Sequence, residues 1–167
     1  FLNSSFESHT CIHIDLGSNN IRNDGVFRFV SSLANCTNLQ NLILTLSRCN
    51  VGVKCAQSLG SALGKYTNLS NLTLDLSFNQ INSNGASGLG SGLINCFNLS
   101  NLELDLSHCK IGLDGASALG SALAKLPKLS YLTLSLEENQ IGAKGVQGLG
   151  SGLEKCADLS YLELNLS

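Results

Sequence analysis

The sequence predicts an α/β solenoid, an open horseshoe arc with a parallel β-sheet on its concave face and helices on its convex face. Three observations predict it. Leu39, Leu69, Leu99, Leu129 and Leu159 recur at a strict spacing of 30 residues. Apolar residues follow each of them three, five and seven positions later, as in Leu42, Leu44 and Leu46, and alternation at period two marks a strand with one buried face. The second half of each unit changes to helical spacing, as in Ala86, Leu89 and Leu93 or Ala116, Leu119 and Leu123. A strand, a turn and a helix in each repeat form one coil of a solenoid.

The coils run over 9–38, 39–68, 69–98, 99–128 and 129–158, with a partial unit at 159–167, and together make one domain spanning 1–167. Ile12, Ile14 and Leu16 begin the strand series, and Leu162, Leu164 and Leu166 end it. Three residues beyond each strand comes the series Asn19, Cys49, Asn79, Cys109, Asn139, followed by Ile21, Val51, Ile81, Ile111 and Ile141. An asparagine there can bond turn backbone that would otherwise be buried and unpaired. A cysteine fills the slot as a small, weakly donating hydrophobe. The helices then carry Gly88 and Gly92, Ala118 and Ala122, Gly148 and Gly152 in turn. Asn alternates with Cys, and Gly with Ala, so the larger unit is a pair of coils, 60 residues long. Glycines one helical turn apart leave a bare stripe where neighbouring helices can come close. Strands stack at ~4.8 Å and helices at ~8–10 Å, so close helices open the curve, and a gentle arc is expected.

The motif LxxLxLxLxxN/C-x-I-G-xx-G-A-xx-L-G-S-x-L, as it runs from Leu99 to Leu123, resembles the leucine-rich-repeat family in its ribonuclease-inhibitor-like subclass. Its flavour is similar to repeats of ciliate and other protist proteins. The resemblance covers residues 9–167 and recurs in register. It implies protein recognition. The strand pattern departs from the family's LxxLxLxxN by an additional x-Leu, from which a longer strand is expected.

Composition narrows the partner. A net charge of −2 argues against nucleic acid, whose binders carry a basic excess. The apolar runs are too short to span a membrane. Seven cysteines without a CxxC pair read as free thiols, which suits a reducing, cytoplasmic setting. Asn-x-Ser/Thr occurs at Asn3, Asn35, Asn68, Asn71, Asn98 and Asn165, and most of these are read as by-products of the repeated NLS segment. The GLGSGL runs at 88–93 and 148–153 lack the spacing of a phosphate loop and lie between core leucines of a helix. No cofactor, metal site or catalytic group is expected.

Function is therefore sought on the strand residues that point away from the core. Three columns result: Cys11, Asn41, Asn71, Asn101, Tyr131, Tyr161; His13, Ile43, Thr73, Glu103, Thr133, Glu163; and Asp15, Thr45, Asp75, Asp105, Ser135, Asn165. Beyond them Arg48, Phe78, His108 and Glu138 follow Ser47, Ser77, Ser107 and Glu137. The face is expected to be acidic and to hold another protein through a basic patch on that partner. Asp75, Glu103, Asp105, Glu137 and Glu163 supply the charge, Tyr131 and Tyr161 the aromatic anchors, with Arg48 and Phe78 at the strand ends. An open sheet without an enclosed cavity disfavours catalysis. Lys65, Lys125 and Lys155 are expected near helix C-termini, where the macrodipole favours them. The final strand has no helix after it, so the chain reads as a fragment of a longer array. The alternative role is structural, with uncapped coils stacking end to end.

Overall fold

In a computed structural model, residues 9–19, 22–33 and 35–167 are described. Strands and helices alternate along the chain: β1 (Cys11–Asp15), α1 (Arg22–Leu33), β2 (Asn41–Thr45), α2 (Val53–Leu63), β3 (Asn71–Asp75), α3 (Asn82–Leu93), β4 (Asn101–Asp105), α4 (Gly112–Leu123), β5 (Tyr131–Ser135), α5 (Gly142–Leu153) and β6 (Tyr161–Asn165). The strands form one parallel sheet in sequence order. Each residue pairs with the one 30 positions on, as Leu72 with Leu102 and Asp75 with Asp105. One residue of slip would turn every leucine outward, so the alternating pattern enforces the register.

The additional leucine does not lengthen the strand itself. Each strand has five residues, and Leu46, Leu76, Leu106 and Leu136 lie one residue past its end, buried. The backbone ladder nevertheless continues through them: Leu46 N–H donates to Asp75 O at 2.8 Å and Arg48 N–H to Ser77 O at 3.1 Å. Arg48, Phe78, His108 and Glu138 then adopt left-handed φ of 54–56° and turn the chain toward the helices. At the helix starts Gly112 and Gly142 take φ of 65° and 61°, a region open to glycine at little cost. Asn82 holds the same position at 52°, its Oδ1 accepting from Asn84 N–H at 2.9 Å. Lys65, Lys125 and Lys155 fall two residues beyond helices α2, α4 and α5, in the turn that follows each.

The strand leucines, the helix leucines and Val51, Ile81, Ile111 and Ile141 form a core shared between coils. Ile21, the first of that series, lies outside the described residues, as does the sequon at Asn3. At the edge of the sheet the equivalent leucines are open: Leu162 is 46% exposed and Leu164 37%.

The expected polar clamp is present and points in one direction. Asn79 Oδ1 accepts from Cys49 N–H at 3.2 Å and Val51 N–H at 2.8 Å, while its Nδ2 donates to Leu46 O and Leu76 O, each at 2.8 Å. Asn139 does the same for Cys109 N–H, Ile111 N–H and Leu106 O. Each asparagine thus fastens its own coil to the preceding, cysteine-bearing one. Cys109 offers its thiol to Leu76 O at 3.1 Å, a single weak bond back to the third coil.

The helices follow the same rhythm. A Cβ built on Gly92 would lie 1.8 Å from Gly60 O, and one on Gly60 would lie 2.1 Å from Gly88 O, so α2 and α3 meet backbone to backbone. Gly152 stands 2.0 Å from Gly120 O by the same measure, so α4 and α5 do likewise. Between α3 and α4 the corresponding contact is Gly90 with the methyl of Ala122, at 3.1 Å. Contacts this short with a backbone carbonyl thus fall at alternate seams, the same seams that the asparagines clamp, while between α3 and α4 a Cβ on Gly115 would lie 3.0 Å from Ser83 Cα. At the far end of the coil Cys96 and Cys156 donate to Leu63 O and Leu123 O, and Tyr66 to Leu33 O at 2.6 Å, whereas Leu126 has no polar group to offer. The 60-residue sequence period is thus a physical pairing of coils, 39–68 with 69–98 and 99–128 with 129–158.

Candidate functional site

The three outward columns of the sheet differ in what their side chains already do. In the first, Asn71 Nδ2 donates to Asn41 Oδ1 at 2.6 Å and Asn101 Nδ2 to Asn71 Oδ1, a rung of amides running across the strands. The rung gives way to Tyr131 and Tyr161, whose rings stack with centroids 4.3 Å apart and an interplanar angle of 4°. The second column carries carboxylates bonded only to neighbouring side chains of the same face. Thr73 Oγ1 donates to Glu103 Oε2 at 3.4 Å, and Tyr161 O–H to Glu163 Oε2 at 3.1 Å. That bond to Glu163, with the carboxylate's charge, holds the Tyr161 phenol above its ordinary pKa.

The third column is largely committed to the fold. Asp75 Oδ1 accepts from Ser77 N–H at 2.9 Å and Ser77 O–H at 2.7 Å, and Asp105 Oδ1 accepts from Ser107 N–H at 2.8 Å. Asp15 does the same for Gly17 N–H at 2.8 Å. An aspartate that bonds the amide two residues on builds the bend that follows the strand. Glu137 is engaged as well, accepting from Asn165 Nδ2. Asp75, Asp105 and Glu137, expected as partner contacts, thus have structural work in the free protein.

Glu103, Tyr131, Tyr161 and Glu163 lie together on strands β4 to β6. Beside them is a depression of about 300 Å³ lined by Asn71, Leu72, Thr73, Asn101, Glu103 and Tyr131. The strand face is therefore not featureless, although the depression is open to solvent and far from an enclosed cavity.

Arg48 and Phe78 stand apart from this group, at the rim where the chain leaves the sheet. The Arg48 guanidinium carbon sits 3.9 Å above the centre of the Phe78 ring, and Phe78 stacks on His108 at 4.3 Å and 16°. The neighbouring column, Asn50, Gln80 and Lys110, completes a groove there of about 580 Å³. His108 and Lys110 were not among the partner residues expected from sequence. His108 belongs to the column of Arg48, Phe78 and Glu138, and Lys110 to a further 30-residue column, Asn50, Gln80, Lys110 and Gln140, just past it.

The buried cysteines are packing residues. Burial pushes the Cys96 thiol up to about 11 and Cys109 up to about 12, so neither supplies a thiolate nucleophile near neutral pH. Cys11 is exposed. Among the described residues no group of three or more His, Cys, Asp or Glu side chains is arranged to hold a metal ion. No helix of the described residues is long and apolar enough to cross a membrane.

Comparisons with known proteins agree with the geometry. The family model for the leucine-rich repeat matches residues 9–30, 68–90, 98–120 and 128–150, in register with the coils. Among solved structures, actin-binding site 2 of leiomodin-1 superposes with a TM-score of 0.64 at 19% identity, over 89% of this chain and 81% of that one. The C-terminal domain of tropomodulin from Caenorhabditis elegans gives a TM-score of 0.66 at 10% identity, over 93% of this chain and 88% of its own. At such identities the likeness is one of fold. No curated protein sequence matches.

Proposed function

Because the chain belongs to the leucine-rich-repeat family, we propose that it is a non-catalytic recognition module that holds another protein on its strand face. The observation that carries this reading is the Tyr131–Tyr161 stack flanked by Glu103 and Glu163, a preformed aromatic platform with carboxylates at its side. Rigid, partly exposed aromatics supply much contact area for little lost rotamer entropy and dominate interface energetics. Tyr161 is 44% exposed. The carboxylates of Glu103, Glu163, Asp75 and Asp105 give the face a negative bias, so a basic patch is the complementary partner surface. The leiomodin-1 neighbour, an actin-binding site, is a precedent for this fold meeting another protein, without naming the partner here. The free thiols suit a reducing compartment, and the cytoplasm is the proposed location.

The test uses residues that the fold does not need. Reversing Asp75 or Asp105 would undo a turn, so Glu103→Lys with Tyr131→Ala is the informative variant. Captured from extract of the native cell, the wild-type chain is expected to retain a partner that this double variant loses, with binding weakened at least about tenfold. A helix-face variant, Lys144→Glu, should retain it. A partner lost by Lys144→Glu and kept by the strand-face variant would overturn the reading.

A further inference from the structure

We propose that the rim groove over the second to fourth coils is a separate docking site, which takes an acidic, extended segment of a protein partner. It is distinct from the strand face and opposite to it in sign. The described residues that line it include Arg48, His108 and Lys110 and no carboxylate. Asp15, Asp75 and Asp105, at the strand ends before the rim, spend an oxygen each on the bends at Gly17, Ser77 and Ser107.

The floor of the groove is fixed before any ligand arrives. Arg48, Phe78 and His108 share left-handed φ of 55°, 56° and 54°, and their N–H groups donate to Ser77 O, Ser107 O and Glu137 O at 3.1, 2.8 and 2.9 Å. On that floor the three side chains stack as guanidinium, phenyl and imidazole. A guanidinium held over a ring still has N–H donors to offer an acceptor, and a carboxylate suits them. Lys110 adds an ammonium two residues beyond His108, and Phe78, 42% exposed, offers an apolar contact between the two charges.

Size and sign choose the occupant. The charged groups sit on the second and fourth coils, ~10 Å apart at ~4.8 Å per coil, the reach of three or four extended residues at ~3.3 Å each, and Ser18 of the first coil extends the lining beyond Arg48. Glu138 takes the next place in the column after His108 and closes that end with negative charge. A short peptide with carboxylates either side of an apolar residue fits these limits. A continuous phosphate chain would meet Glu138 at one end and the negative strand face along its side.

The probe is the acetylated peptide Glu-Glu-Phe-Glu-Glu, titrated into the isotopically labelled chain while backbone amide shifts are followed. Lys-Lys-Phe-Lys-Lys and a thymidine octanucleotide serve as comparisons. The acidic peptide is expected to shift the amides of Arg48, Phe78, His108 and Lys110. The double variant Arg48→Glu with Lys110→Gln should weaken it at least about tenfold. Both replacements have native precedents in the same columns, Glu138 at φ 54° and Gln140 at φ 54°, so the variant keeps the fold. Glu103→Lys should leave this binding in place, which separates the proposal from the strand-face reading. Absence of rim shifts, equal binding by the double variant, or tighter rim binding of the octanucleotide would each overturn it.

Discussion

Replacing Gly92 by alanine is expected to destabilise the protein by about 3 kcal/mol, because the added methyl has nowhere to go. Its carbon would lie 1.8 Å from Gly60 O and 2.7 Å from Gly60 Cα, and these are backbone atoms with no rotamer to change. Relief requires α2 and α3 to separate, and that strips contacts from Leu59, Leu63, Leu89 and Leu93 beneath them. The control is Gly150→Ala, on α5. Nothing lies within 4 Å of its added methyl, so only helix propensity acts, and a gain of about 0.5–1 kcal/mol is expected. The two substitutions are chemically identical and both are helical. Urea unfolding of both variants measures the contrast, and shifts of the same sign would show that helix contact is not what selects glycine at position 92.

Asn79→Ala is expected to cost about 3–5 kcal/mol, since each buried backbone group left without a partner costs about 1–3 kcal/mol. The side chain is 3% exposed and serves two N–H donors of the preceding coil and carbonyls on both sides of the seam. The loss should be seen in the urea midpoint, with the steepness of the transition unchanged. A loss below about 1 kcal/mol would mean that water replaces the amide and that the clamp is incidental. Both variants strike the seam between the second and third coils. The seam between the third and fourth has neither a glycine-to-carbonyl contact nor an asparagine clamp at the turn, and holds by apolar packing, the sheet ladder, the Cys109 thiol and the side-chain bonds of Asn101 to Asn71, Thr73 to Glu103 and Lys128 to Asn98.

Much of this was legible in the sequence, for a physical reason. A parallel sheet in strict 30-residue register needs an apolar residue at the same place in every coil, so the strands, the helices and the paired coils can be read as columns. What could not be read was the division of labour within a column. Asp75 and Glu103 look alike as outward acids, but only the aspartate is short enough to bond the amide two residues on. The strand-end leucines suggested a longer strand, whereas the left-handed turn at Arg48, Phe78 and His108 follows soon after them and ends it. That turn also stacks the three side chains at the rim. Neither spacing nor composition announces a left-handed φ in Arg, Phe or His, so the rim groove was visible only in three dimensions.

The proposed recognition takes place on the strand face and not on the helices. Amide hydrogen exchange of the full chain, free and bound to the captured partner, tests it most directly. Protection is expected to concentrate on β4 to β6, at Glu103, Tyr131 and Tyr161, with α3 to α5 exchanging as in the free protein. Protection confined to the helix face, with the strand residues unchanged, would contradict the account.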